Sequence, residues 1–223
     1  MVKNKNLSLM IAALTLFGLT PLPINALEQR PSKEIPIDEF VKETLQFASL
    51  GNNQMNVAWY LPLEVFGAPP QPVLVIAVVK AEILSTDSFK FASQVETQKG
   101  LKVTYTDSSG KSIVLAQAPK NDDVDLFITE MKPFFTKLAG KFGEGMWFLT
   151  YKNVDASGKN IVSPYKPGKL KVSFNGKSAT RQPESTVELP LNSLFVPRLC
   201  PNGKPAHISW KYCPWDGTPL TVK

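Results

Sequence analysis

Histidine and cysteine are almost missing from this 223-residue chain, which has one His and two Cys. A lone imidazole, His207, excludes Ser-His-Asp and Cys-His catalysis as readings, because no nucleophile or acid is patterned around it. HExxH zinc hydrolysis and any multi-histidine metal site are excluded on the same ground. Phosphate loops are lacking too. Neither G-x-x-x-x-G-K-[ST] nor G-x-G-x-x-G occurs, and Gly140, Gly143 and Gly145 have the wrong spacing for either. Basic charge is never dense. The tightest group, Lys166, Lys169 and Lys171, reads as the solvated face of a strand rather than an anion contact. No cofactor is expected.

What is present begins with the first 26 residues. Lys3 and Lys5 precede an apolar run from Leu7 to Leu19, Pro21 and Pro23 break it, and Ile24-Asn25-Ala26 ends on a small residue. That order is a secretory signal peptide with cleavage between Ala26 and Leu27, bacterial in style. The apolar run reaches about 20 Å as a helix, short of the ~30 Å hydrocarbon core of a bilayer. No cysteine stands at the cleavage point to carry a lipid. The expectation is a periplasmic or secreted protein with no membrane span after processing and no nucleic-acid partner. The leader holds two lysines and no acid, so the net charge falls from +6 to a mild +4.

Leu27 to Ile35 is polar and proline-bearing, a flexible lead-in. From Pro36, the apolar residues Ile37, Phe40, Val41, Leu45 and Ala48 recur at helical spacing until Gly51. Met55 to Leu61 reads as a strand. A proline-rich break, Gly67 to Pro72, precedes the run from Val73 to Leu84. Its core, Val-Leu-Val-Ile-Ala-Val-Val, is continuous rather than alternating, which predicts a central strand buried on both faces. Phe89 to Glu96 begins with alternation. Leu101–Tyr105 and Ile113–Leu115 flank Asp107-Ser-Ser-Gly110 as a hairpin, with Gly110 free to take a positive φ.

Asn121 to Phe142 carries an apolar helical stripe of Phe127, Met131, Phe134, Leu138 and Phe142, and Pro133 predicts a kink or two short helices. The acidic start Asn121-Asp122-Asp123-Val124-Asp125 reads as a helix cap rather than a calcium loop, whose glycine and distal glutamate are absent. Strand patterns return at Met146–Tyr151 and Leu170–Phe174. Asn175-Gly176 signals a tight turn, and Thr186–Pro190 reads as a short edge strand. The fold class expected is α+β: an antiparallel or mixed, sandwich-like sheet with two flanking helices. The globular domain is placed at residues 36–197 and a tail at 198–223.

Within the tail stand Leu199-Cys200-Pro201-Asn202-Gly203 and Tyr212-Cys213-Pro214-Trp215-Asp216-Gly217. Each resembles the Cys-Pro-x-Cys-Gly knuckle of a zinc ribbon whose second cysteine is lost, to Gly203 in one and Asp216 in the other. The resemblance covers Leu199 to Leu220 only. It implies that Cys200 and Cys213 face each other across a short hairpin, two thiolates where structural zinc requires four ligands. After export such a pair forms a disulfide. A surviving metal site would draw on Cys200, Cys213, Asp216 and His207, although His207 lies about 20 Å of extended chain from either cysteine. Free or intermolecular thiols are the third reading.

The aromatic residues Trp59, Tyr60, Tyr151 and Tyr165 are where a ligand pocket is sought first. Trp210, Tyr212 and Trp215 surround the cysteine pair as an aromatic platform or as cover for a small appendage. The expectation is a non-catalytic exported module that binds a protein, glycan or envelope component, or serves structurally. One alternative is a carboxylate-dependent hydrolase of envelope or extracellular polymers, which needs two acids in a cleft; Glu64, Glu82, Glu96, Glu130 and Glu144 are its candidates. The other is a zinc-binding tail.

Overall fold

Every side chain from Val73 to Val79 is buried, and alternate ones enter two separate cores. That is why the run carries no polar residue until Lys80. The computed structural model describes residues 27–49, 53–174 and 183–220. Helix α1 (Ile37–Thr44) leads into β1 (Leu45–Ser49), β2 (Gln54–Leu61), β3 (Val73–Ser85) and β4 (Ser88–Phe91). Helix α2 (Gln94–Gln98), the hairpin β5 (Leu101–Asp107) and β6 (Ser112–Leu115), and helix α3 (Asp122–Leu138) follow. The chain ends with β7 (Trp147–Lys152), β8 (Gly168–Phe174), β9 (Glu184–Leu189) and the short pair β10 (Arg198–Leu199) and β11 (Pro205–Ala206).

The architecture is α+β with three layers. One sheet runs β1-β2-β3, with β7 on the first half of β3 and β4 on the second. The other sheet runs β6-β5-β8-β9, and all pairings among the described residues are antiparallel. Leu74, Ile76 and Val78 meet Val103, Leu170, Val172 and Val187 of the second sheet, forming a sandwich core. On the opposite face, Val75, Ala77 and Val79 meet Val124, Ile128 and Phe135 of α3. Such two-sided burial makes β3 the spine of the molecule.

Helix α3 begins as its sequence predicts: Asn121 Oδ1 accepts the Val124 N–H at 2.8 Å, and three aspartates occupy the first turn. It continues through Pro133 as one helix, so the division into two short helices does not occur. The Gly110 turn takes φ +88° as expected, and β9 forms the sheet edge that Pro190 requires. The Asn175-Gly176 turn lies outside the described residues.

Three readings need correction. The stripe expected on α3 is turned about the helix axis: Phe134 and Leu138 are exposed, and Val124, Ile128 and Phe135 are the buried residues, because these face β3. Helical spacing over Ile37–Ala48 holds only to Thr44; Leu45–Ser49 is a strand, in register with Trp59 through Met55. Pairing with β2 supplies a full ladder of backbone partners and covers its edge, which outweighs the helical spacing of Leu45 and Ala48. The strand near Phe89 stops at Phe91, where Ser93 starts α2 through a capping box with Glu96. Ser-x-x-Glu was the available signal for this helix.

Helix α1 is fastened to the far end of the chain by Glu43. Its carboxylate accepts the N–H groups of Asn192 and Ser193 at 3.0 Å each and the Ser193 hydroxyl at 2.6 Å. Glu43→Ala is expected to lower stability by about 2 kcal/mol, since three donors beside the fully buried Ser193 lose their acceptor. Chemical denaturation checks this; an unchanged midpoint would show that the contact holds nothing in place.

Candidate functional site

The tail is built from two turns of the same design. In the first, the Cys200 N–H donates to the Lys204 carbonyl and the Gly203 N–H returns to the Cys200 carbonyl, each at 2.9 Å. In the second, the Cys213 N–H donates to Thr218 at 2.8 Å and the Gly217 N–H to Cys213 at 2.9 Å. Gly203 and Gly217 sit at φ +76° and +73°, left-handed backbone that side chains with a Cβ resist. Cys200 and Cys213 are buried and pack together with Ala206, against Leu220. Both are thiols here. Burial, reinforced by a contact with the Cys213 sulfur, pushes the Cys200 thiol up to about 11.

Asp216 stands where the zinc-ribbon resemblance would place a second cysteine. Its carboxyl is held below the usual range by the Thr218 N–H, at 2.9 Å, and then by the Cys213 thiol. His207 does not join this group; its ring bonds the Ser209 hydroxyl at 2.7 Å. The set Cys200, Cys213, Asp216 and His207 is therefore not assembled: among the described residues no three His, Cys, Asp or Glu side chains converge as metal ligands. The chain folds His207 toward Trp210 instead, with ring centres 6.1 Å apart.

Arg198 locks the tail. Its guanidinium donates to the carbonyls of Ile208 at 3.0 Å, Trp210 at 2.9 Å and Leu220. Ile208 is buried in the sandwich core, and its N–H donates to Asn192 Oδ1 at 3.0 Å, so the tail is continuous with the body. On this frame Trp210, Tyr212 and Trp215 remain 40%, 61% and 48% exposed. The two indoles meet edge to face at 6.2 Å, and the Lys204 ammonium lies 5.2 Å from the Trp215 ring centre.

The other aromatic candidates fall elsewhere. Trp59 is fully buried, packed on Phe135 with its N–H on Thr44 Oγ at 3.0 Å. Tyr151 is core, and Tyr165 packs edge-on against Phe195. Tyr60 is also buried, beside a cavity of about 10 Å³ shared with Glu64, Asn153 and Asn160, room for about one water. Burial raises the pKa of Glu64, and burial followed by the Glu64 charge raises that of Tyr60. These four aromatics thus frame the core rather than an open ligand pocket.

Of the carboxylates, Glu82 and Glu96 line one groove of about 360 Å³, along with Lys80, Lys90 and Lys99. Glu96 caps α2: its Oε2 accepts the Ser93 N–H at 2.9 Å and hydroxyl at 2.8 Å, which holds its pKa below the usual range. A glycosidase acid requires the opposite shift. Glu64 borders the small cavity and Glu144 a different surface depression, so neither joins this pair. Sequence reasoning missed the groove, because its lysines come from three separate elements. No family model, curated protein or solved structure matches the chain.

Proposed function

We propose that the mature chain is an exported, non-catalytic binding module that meets a protein or glycan of the cell envelope through the aromatic face of its tail. The carrying observation is the exposed group of Trp210, Tyr212 and Trp215 on a frame fixed by Arg198 and the paired cysteines. Large, rigid aromatic side chains dominate recognition surfaces because they bury much area at little cost in conformational entropy. Lys204 and Arg198 leave the surroundings basic, which suits an anionic or hydroxyl-rich partner. The signal peptide over residues 1–26 delivers the chain to an oxidising compartment, where Cys200 and Cys213 close as a disulfide and make the tail rigid.

The test is recovery of envelope material on tagged mature protein. Wild type is expected to retain a partner, and Trp210→Ala/Trp215→Ala to lose at least about tenfold in affinity, as removal of two interface anchors does. The double variant keeps its circular dichroism spectrum, because neither indole is in the core. Equal retention by the double variant would reject the aromatic face as the contact.

A further inference from the structure

The groove of about 360 Å³ lies where the spine strand outgrows the sandwich. On the face that carries Ala58 and Val78 into the core, the next residues along β2 and β3 are Asn56 and Lys80, paired in register, then Gln54 and Glu82. Lys90 of β4 stands opposite Glu82, and α2 closes the groove with Glu96 followed by Lys99. Asn56 is only 1% exposed, and neither its Nδ2 nor its Oδ1 has a hydrogen-bond partner among the described residues. A buried primary amide left unpaired is costly, and the great majority of such groups are satisfied. The side chains walling this groove include long lysines that rotate within nanoseconds, so the amide lies within reach of a ligand that displaces them.

We infer that this groove binds a small hydroxylated carboxylate, a sugar acid, with Asn56 as its selecting residue. Three ammonium groups face the two carboxylates of Glu82 and Glu96, a surplus of one positive charge that calls for an anionic oxygen, and the groove's volume is within the small-ligand range of about 300–1,000 Å³. A bare anion answers only half of the amide, because Oδ1 needs a donor as Nδ2 needs an acceptor. Glu82 likewise asks for a donor. A carboxylate carrying neighbouring hydroxyls satisfies all of them. This site is independent of the tail: its residues lie on β2, β3, β4 and α2 and just beyond it.

The experiment is titration of isotope-labelled mature protein with sodium glucuronate, glucose and inorganic phosphate, followed by amide NMR. Glucuronate is expected to shift the Asn56 side-chain NH₂ signals and to bind at least about tenfold more tightly than glucose or phosphate. Asn56→Leu should lose that binding without any fall in melting temperature, since it removes an unpaired amide from the interior. Lys80→Gln/Lys90→Gln, on exposed or half-buried positions, should weaken glucuronate but not glucose. Phosphate binding as tight as glucuronate, or glucuronate binding unchanged in Asn56→Leu, would overturn the inference. So would the absence of any glucuronate-induced shift.

Discussion

Reduction of the disulfide proposed between Cys200 and Cys213 is expected to lower the unfolding free energy of the mature protein by about 3 kcal/mol, or about 6–12 °C in melting temperature. The two positions are 13 residues apart, and a cross-link of that span removes a corresponding loop entropy from the unfolded chain. The effect reaches the whole molecule because the tail does not stand apart. Ile208 sits in the sandwich core and Arg198 bonds three tail carbonyls, so opening the clip loosens the edge of the body. Thermal unfolding with and without reductant measures the loss. Identical curves, with both cysteines shown to be oxidised at the start, would detach the clip from global stability.

The second large effect belongs to Phe135. This residue of α3 is fully buried, and four aromatic rings surround it: Trp59 at 5.4 Å, Phe66 at 5.3 Å, Phe134 at 5.6 Å and Phe148 at 6.0 Å. They come from β2, the turn after it, α3 itself and β7, so a single ring joins the helix layer to the spine sheet. Phe135→Ala should cost about 3–5 kcal/mol, the transfer loss of the ring plus the cavity its rigid neighbours cannot fill. Phe134→Ala, one residue earlier and 40% exposed, should cost far less. Urea denaturation of both variants separates the two. Equal losses would mean that α3 is not held by this aromatic cluster.

Local signals in the sequence carried much of the fold. The seven-residue run from Val73 to Val79 identified the buried spine because a strand covered on both faces has no position for a polar side chain. The turn at Gly110 and the cap at Asn121 were legible for a similar reason: each is decided by the φ or the side-chain acceptor of one residue. Leu45–Ser49 was illegible because its apolar spacing continues that of α1, whereas its conformation is settled by β2, ten or so residues later. Strand order in the second sheet is not legible in the sequence, since it depends on pairings such as Leu101 with Phe174 that no local pattern announces.

The candidate sites divide in the same way. The knuckle pair was visible because its two halves repeat the same residues within a short stretch, and both fold as repeated turns. The aromatics near β2 and β7 stand out by residue type alone, and burial assigns them to packing. Asn56 carries no such signal. It is one polar letter in an otherwise apolar strand, and its meaning comes from Lys80, Lys90 and Lys99, brought beside it by β3, β4 and the end of α2.

The most direct measurement is the intact mass of the mature protein isolated from the cells that make it, taken before and after reduction under denaturing conditions. An N-terminus at Leu27 and a mass that rises on reduction by the two hydrogens of one disulfide is the expected result. A chain still beginning at Met1, or a native mass already equal to the reduced one with zinc bound in its place, would contradict it.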